Sequence, residues 1–281
     1  MMDSTRDKAI TQTGIFKVNA FVAEGCKGNP AGVCLLPRAR EDDYYIKVAV
    51  KMAAAETAFI YEENDIYRLR WFTLSGREVA LCGHATLAAA GILWDKGYVS
   101  PEKTIRFTTK SGILKAARDG DYITLDFPRP EITEIKNREQ DIKQATGLAP
   151  LFIGQTAFDY LVVVGSEAAV KAYKPDFEQL KKLDGRGISI TARAAGRDYD
   201  FVSRFFAPSI GINEDPVTGS AHCALAVYWG GVLRKSGMLG YQTSREGGMV
   251  RVDLLKDRVL LGGRTKETAI PAAMRQLILS W

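Results

Sequence analysis

The sequence predicts an α+β protein of two similar domains, each a curled, mostly antiparallel sheet around a central helix. Three observations carry this. Strand-like runs outnumber helical ones without a regular β-α-β alternation, one strand-loop-helix segment occurs twice, and the helix in each copy carries no charged residue. A chain of 281 residues also suits two domains, at about 150 residues each.

The elements follow from the patterning. Alternating or β-branched runs occupy Phe16 to Phe21, Tyr67 to Phe72, Ile105 to Thr108, Tyr122 to Phe127, Leu161 to Val164, Phe201 to Phe206, Val250 to Leu254 and Val259 to Leu261. Helical spacing marks Asp42 to Ala55, Glu139 to Thr146, Ala168 to Tyr173 and Phe177 to Leu183. Pro128-Arg129-Pro130 closes a strand-like run and opens a polar segment, which places a boundary there. The N-terminal domain is expected over 14–128, completed by a C-terminal strand at about 265–281, and the C-terminal domain over 129–264.

The repeat is the most informative feature. Phe72-Thr-Leu-Ser-Gly-Arg-Glu-Val-Ala-Leu-Cys82-Gly83-His84-Ala echoes Phe206-Ala-Pro-Ser-Ile-Gly-Ile-Asn-Glu-Asp215-Pro-Val-Thr218-Gly219-Ser220-Ala. Each copy runs from a strand through an acid-bearing loop and a glycine corner into an Ala-rich helix, as a duplicated domain would. The helices, His84 to Trp94 and Ser220 to Leu233, lack Lys, Arg, Asp and Glu, and a helix apolar all round is a buried one. Gly97 and Gly230-Gly231 fall where the chain is expected to reverse after them.

Composition bounds the function. At 46% hydrophobic and 25% charged, the chain matches globular usage and excludes disordered and collagenous classes. Lys and Arg number 38 against 33 acids, a net +5, but they are scattered, so no nucleic-acid partner is expected. Met1 to Thr13 lack the apolar run of a signal peptide. The longest charge-free stretches, Val79 to Trp94 and Pro216 to Leu233, fall short of the roughly 20 residues of a membrane span. Four cysteines without a C-x-x-C pair fit reduced thiols, and a cytoplasmic location without membrane partners is expected.

Chemistry concentrates at the corners. Gly83 and Gly219 precede helix N-termini whose first amides lack intrahelical partners. If the domains face each other, two partly positive helix ends converge on one cleft that suits a carboxylate. The alternative is a glycine that only ends a strand and allows close packing. Both histidines lie in the repeats: His84 aligns with Ser220 and is expected to face the cleft, whereas His222, two residues further in, reads as a packing residue. A metal held by Cys82, His84, His222 and Cys223 is not expected, because the usual C-x₂₋₄-C spacing is missing.

Glu56 lies in Ala53-Ala-Ala-Glu-Thr-Ala-Phe-Ile60, an apolar stretch where a helix gives way to a strand. It is either a desolvated general acid/base or a solvated helix-end carboxylate. Asp215 before Pro216 reads as a site carboxylate or a turn residue, and Thr218 and Ser220 as ligand contacts or helix caps. Cys82 at a helix start suits a thiolate or a buried, inert thiol, and its counterpart Thr218 deprives a two-thiol racemase of its second partner.

Glu56-Thr-Ala-Phe, Cys82-Gly-His-Ala-Thr, Glu214-Asp-Pro-Val-Thr-Gly-Ser-Ala221 and Gly28-Asn29-Pro-Ala-Gly-Val33 make the sequence resemble the PhzF family of phenazine-biosynthesis-like isomerases. The resemblance implies the diaminopimelate-epimerase-like fold, commonly a homodimer, with no metal, flavin, nicotinamide or pyridoxal phosphate cofactor. It also implies that Glu56 is the main proton donor and acceptor, with His84, Asp215 and Ser220 in support. The substrate-binding positions expected are Gly83, Gly219, Ser220, Thr218 and Asn29. The first corner reads Cys-Gly-His-Ala where the namesake enzyme is closer to Ala-Gly-His-Pro, so a different substrate is expected. The function expected is a cofactor-independent isomerase of a small carboxylate-bearing metabolite. A single-thiol epimerase using Cys82 and a non-catalytic binding protein of the same fold are the alternatives.

Overall fold

A computed structural model describes residues 7–64 and 66–281; the first six residues of the N-terminal segment read as lacking a signal peptide lie outside the described residues. The chain divides into two compact units, one of residues through Val22 with Asn29–Asp126 and Gly262–Trp281, the other of Ala23–Gly28 with Phe127–Leu261.

In chain order the first unit contains β1 (Gly14–Val22), β2 (Asn29–Leu35), α1 (Asp42–Met52), β3 (Glu56–Glu63), β4 (Ile66–Thr73), β5 (Glu78–Val79), α2 (Gly83–Asp95), β6 (Ile105–Thr109), β7 (Gly112–Asp119) and most of β8 (Tyr122–Pro128). Then come β9 (Thr133–Glu134), α3 (Glu139–Thr146), β10 (Phe152–Gln155), β11 (Asp159–Val163), α4 (Glu167–Ala172), α5 (Phe177–Leu180), β12 (Gly187–Arg193) and β13 (Phe201–Ala207). The chain ends with β14 (Ile212–Asp215), α6 (Gly219–Leu233), β15 (Gly237–Gln242), β16 (Gly248–Leu254), β17 (Arg258–Thr268) and α7 (Ala272–Leu279).

The pairings of the two units correspond strand for strand. In the first, β1 pairs antiparallel with β2, β2 parallel with β3, β3 antiparallel with β4, β4 antiparallel with β5, β4 parallel with β6, and β6 antiparallel with β7. In the second, β10, β11, β12, β13, β14, β15 and β16 repeat that series with the same senses. Strands run parallel only where helices intervene, α1 and α2 in one unit, α4 with α5 and α6 in the other. A parallel pair needs such a crossover, whereas a hairpin needs only a turn.

Residues 84–94 of α2 are all buried, as an apolar helix must be. The second helix is buried along most of its length to Gly230: Trp229 Nε1 donates to Thr191 on β12, and His222 lies beside Gly240 on β15. Its last turn is open, with Val232 54% exposed. A second layer covers the other face of the first sheet, where Tyr45 and Met52 of α1, Phe59, Phe72 and Ile278 of α7 form one apolar cluster.

Two expectations are corrected. The tail read as a strand over about 265–281 is strand only to Thr268, after which Pro271 and a run of good helix formers start α7. Gly230-Gly231 do not reverse the chain: both are helical, and the left-handed residue is Arg234 at φ 55°. Gly230 serves close packing, since a Cβ there would stand 2.8 Å from Leu254 Cδ2 and 3.1 Å from the Lys235 carbonyl. No helix among the described residues is long and apolar enough to cross a membrane.

Candidate active site

Glu56 is placed by the alternation of β3. Phe59 and Tyr61 belong to the cluster beneath α1, so Glu56, Ala58 and Ile60 face the other way, toward α2. The helix α1 ends in left-handed Ala53 at φ 50°, and three residues later Glu56 opens the strand. Its neighbour across the parallel pair is Ala31. Asn29, fully buried two residues earlier on β2, therefore shares the face of Glu56.

The first turn of α2 meets that carboxylate. His84 Nε2 stands 3.3 Å from Glu56 Oε2, and Cys82 Sγ lies 3.6 Å from His84 Nδ1 and 4.0 Å from Nε2. Cys82 is the N-cap residue with extended backbone, and its side chain does not close on the helix amides. Burial lowers the His84 ring to about 4, so it is neutral at pH 7. The Glu56 side chain is 13% exposed, enclosed yet open to a ligand. A carboxylate beside a neutral imidazole in an apolar wall can accept a proton from carbon and give it back.

The second unit builds its corner differently. Asp215 ends β14, Thr218 is the N-cap residue of α6, and Gly219 is the first helical residue. The Thr218 hydroxyl donates to Asp215 Oδ2 at 2.5 Å instead of capping the helix. Gln242, fully buried at the end of β15, clamps the loop: its Oε1 accepts from Thr218 N at 2.9 Å, and its Nε2 donates to the Asp215 carbonyl at 2.7 Å. Ser220 Oγ accepts from Arg186 Nη2 at 2.8 Å, and that guanidinium also pairs with both carboxylate oxygens of Asp159. His222 lies in the core: Nδ1 is 2.9 Å from the Thr218 carbonyl, and the ring packs on Phe201. Because a carbonyl only accepts, Nδ1 carries the proton there.

The expected residues thus fall into two groups. Glu56, His84, Gly83 and Asn29 gather in the first unit with Cys82, and Asp215, Thr218, Gly219 and Ser220 in the second. Sequence reasoning missed Gln242, Arg186 and Asp159. The repeat carries a signal for Arg186 alone: Thr57 pairs with Phe72 as Ile188 pairs with Phe206, so Gly187 holds in its unit the register that Glu56 holds in the other, and Arg186 precedes it.

The profile of the PhzC-PhzF family, phenazine biosynthesis-like proteins, matches residues 18–268. The chain belongs to this family. An uncharacterized isomerase of Halalkalibacterium halodurans is 46% identical over 252 residues, 90% of this chain and 95% of that protein. The crystal structure of a PhzF family protein from Enterococcus faecalis superposes with a TM-score of 0.83 at 40% identity, covering 91% of this chain and 96% of the other. A probable proline racemase from Agrobacterium radiobacter, 13% identical with a TM-score of 0.61 and covering 93% of each chain, shares the fold alone. PhzF membership and isomerase relatives make the chain an isomerase of unassigned substrate, with the diaminopimelate-epimerase-like fold, and leave the non-catalytic alternative without support.

Proposed function

We propose that the protein is a cofactor-independent isomerase that moves a proton on a small, carboxylate-bearing metabolite by general acid/base catalysis. Glu56 removes a proton from carbon and returns it at another position or on the opposite face. His84 and Asp215 orient the substrate or relay the proton. The amides of Gly83-His84 and Gly219-Ser220 hold the enolate-like charge, each such donor being worth about 3 to 4 kcal/mol in a preorganised site. Asn29, Thr218 and Ser220 complete the binding positions. That both corners serve one substrate is part of the proposal and rests on their matching places in the repeat, an extended N-cap residue followed by a glycine that opens α2 or α6. The same reading has the protein act in the cytoplasm as a homodimer, on a small anionic metabolite rather than nucleic acid or membrane.

One observation carries this reading: the Glu56 carboxylate stands 3.3 Å from a buried imidazole that burial keeps neutral. Incubation with metabolite extract in D₂O followed by mass spectrometry tests it. Wild-type protein should wash deuterium into one compound, and Glu56→Gln should not; equal wash-in by both would end the assignment. The 3.6 Å approach of Cys82 Sγ to His84 Nδ1 favours a second reading, a single-thiol epimerase. Cys82→Ser separates the two: activity within a few-fold of wild type supports Glu56 as the base, and loss of wash-in supports the thiol.

A further inference from the structure

We infer that Arg186 is a positioning residue of the second corner: its guanidinium takes the acceptor side of the Ser220 hydroxyl, which leaves the hydroxyl proton to be donated to an anionic oxygen of the substrate. The inference rests on the proposed isomerase reading, in which Ser220 touches substrate.

The two units keep one contact and reverse its charge. His84 and Ser220 are each the second residue of their helix. In the first unit that residue meets the acid at the head of β3, with His84 Nε2 3.3 Å from Glu56 Oε2. In the second it meets the residue just before the head of β12, with Arg186 Nη2 2.8 Å from Ser220 Oγ. A proton acceptor thus stands beside one helix start and a permanent cation beside the other.

An arginine only donates, and a hydroxyl has one proton to give, so Ser220 accepts here and its O–H points elsewhere. A serine or threonine in a helix commonly donates to the carbonyl four residues back, as Thr86 does to Cys82 at 2.6 Å. For Ser220 that carbonyl belongs to Pro216, and Ser244 Oγ already donates to it at 2.7 Å. No other hydrogen bond joins the Ser220 hydroxyl among the described residues, and the residue is half-buried, open enough to meet a ligand.

The guanidinium is held in place for this. Nε and Nη2 donate to the two carboxylate oxygens of Asp159, whose side chain is only 9% exposed. The Arg186 amide donates to the Phe158 carbonyl at 2.8 Å, and the rings of Phe158 and Phe205 lie 5.8 and 5.7 Å from the guanidinium. A planar fork fixed at two nitrogens cannot swing away from Ser220, and a charged donor on the oxygen strengthens the bond its proton makes.

A double-variant cycle in the D₂O assay tests this. Arg186→Gln with Asp159→Asn removes the cation and its counter-charge together, so no buried charge is stranded. Ser220→Ala should lower wash-in by about 10²–10³-fold, the share of one preorganised donor. The neutral pair should lower it by about tenfold or more in wild type but by about twofold at most in the Ser220→Ala protein, because residues acting as one unit do not add. Losses that multiply mark a purely structural role and overturn the inference, as does an unchanged rate with the neutral pair alone. A neutron structure of the wild type decides even where a variant fails to fold: the Ser220 deuteron should point away from both Arg186 and the Pro216 carbonyl, and a deuteron directed at that carbonyl overturns the inference. Wash-in that survives Glu56→Gln yet follows the cycle would break the base assignment and leave Arg186 standing. Wash-in that needs Glu56 but ignores the neutral pair would do the reverse, and none from the wild type would end both.

Discussion

Where the first unit carries Glu56 at the head of β3, the second carries Gly187 at the head of β12. The two lie at matching register in sheets of the same topology, yet their surroundings are incompatible. A Cβ at Gly187 would stand 2.4 Å from Phe205 Cζ and 2.8 Å from the Phe206 carbonyl, so that position has no room for an acid. The neighbouring differences follow suit: in the repeat Cys82 aligns with Thr218, and His84 with Ser220. After a duplication, the carboxylate, imidazole and thiol cluster has gathered in one copy, while the other keeps Asp215, the Arg186–Asp159 pair, hydroxyls and a clamped loop. A pair of equivalent bases is absent, and a single proton carrier is what this asymmetry supports.

The sharpest way to break the comparison is to remove the carrier. Glu56→Gln keeps the size and polarity of the side chain but cannot take a proton, and deuterium wash-in should fall by at least about 10²–10⁴-fold, the usual share of one general base. The melting temperature should stay within a few degrees of wild type. Asp215→Asn in the other unit should cost less, because that carboxylate is proposed to orient the substrate or relay the proton and not to take it from carbon. An equal loss in both variants would abolish the distinction between the copies.

The clamp in the second unit comes next. Gln242→Leu leaves the Thr218 amide and the Asp215 carbonyl without their side-chain partner in a buried setting, at about 1–3 kcal/mol for each stranded group. Urea unfolding should move by that sum, and the turnover number should fall more than the Michaelis constant rises. Gln242→Glu is the sharper probe: it still accepts from Thr218 N but can no longer donate to the Asp215 carbonyl. A Gln242→Leu protein of wild-type stability would show that the loop holds itself.

Much of this architecture was legible in the chain, and the failures have physical causes. Charge-free helices, the helix-to-strand change ahead of Glu56 and the twin glycine corners depend on local pattern, which a sequence displays. Gly230-Gly231 misled because glycine signals a reversal and close packing alike, and only Leu254, 24 residues on, decides between them. The helix at 272–279 was hidden by the strand run before it. Arg186 and Asp159 become partners only because β11 lies parallel to β12, a pairing invisible before the sheet is assembled. Of the site, the residue types were readable, but the 3.3 Å approach of Glu56 to His84 was not, since it depends on which face of β3 lies against α2.

Acid should expose the buried histidines. His222, like His84, is lowered by burial to about 4, although its bond to the Thr218 carbonyl works in the other direction. An unfolded histidine titrates near about 6.5, so between about 6.5 and 4 the unfolded state binds more protons than the native one. Stability from each ring is complete above that window and lost as pH falls through it, at most on the order of 3 kcal/mol per ring. Glu78, which Arg70 holds near 2, loses its contribution only below the ordinary carboxylate range. Urea midpoints between pH 7.5 and 4.5 should therefore drop, and His222→Asn should flatten part of the slope. An unchanged slope would mean that the ring is solvated.

The smallest effect returns to the missing acid. Gly187→Ala places a methyl group against the Phe206 carbonyl, a backbone atom that cannot swing aside, and should cost about 1–3 kcal/mol of stability as overpacking does. Gly196→Ala, whose Cβ would meet nothing within 4 Å, is the control and should be neutral or slightly stabilising. Equal unfolding midpoints for the two variants would show that the second unit can accommodate a side chain at the Glu56 position. The loss of the acid there would then reflect selection on chemistry alone, with no steric bar to a second base.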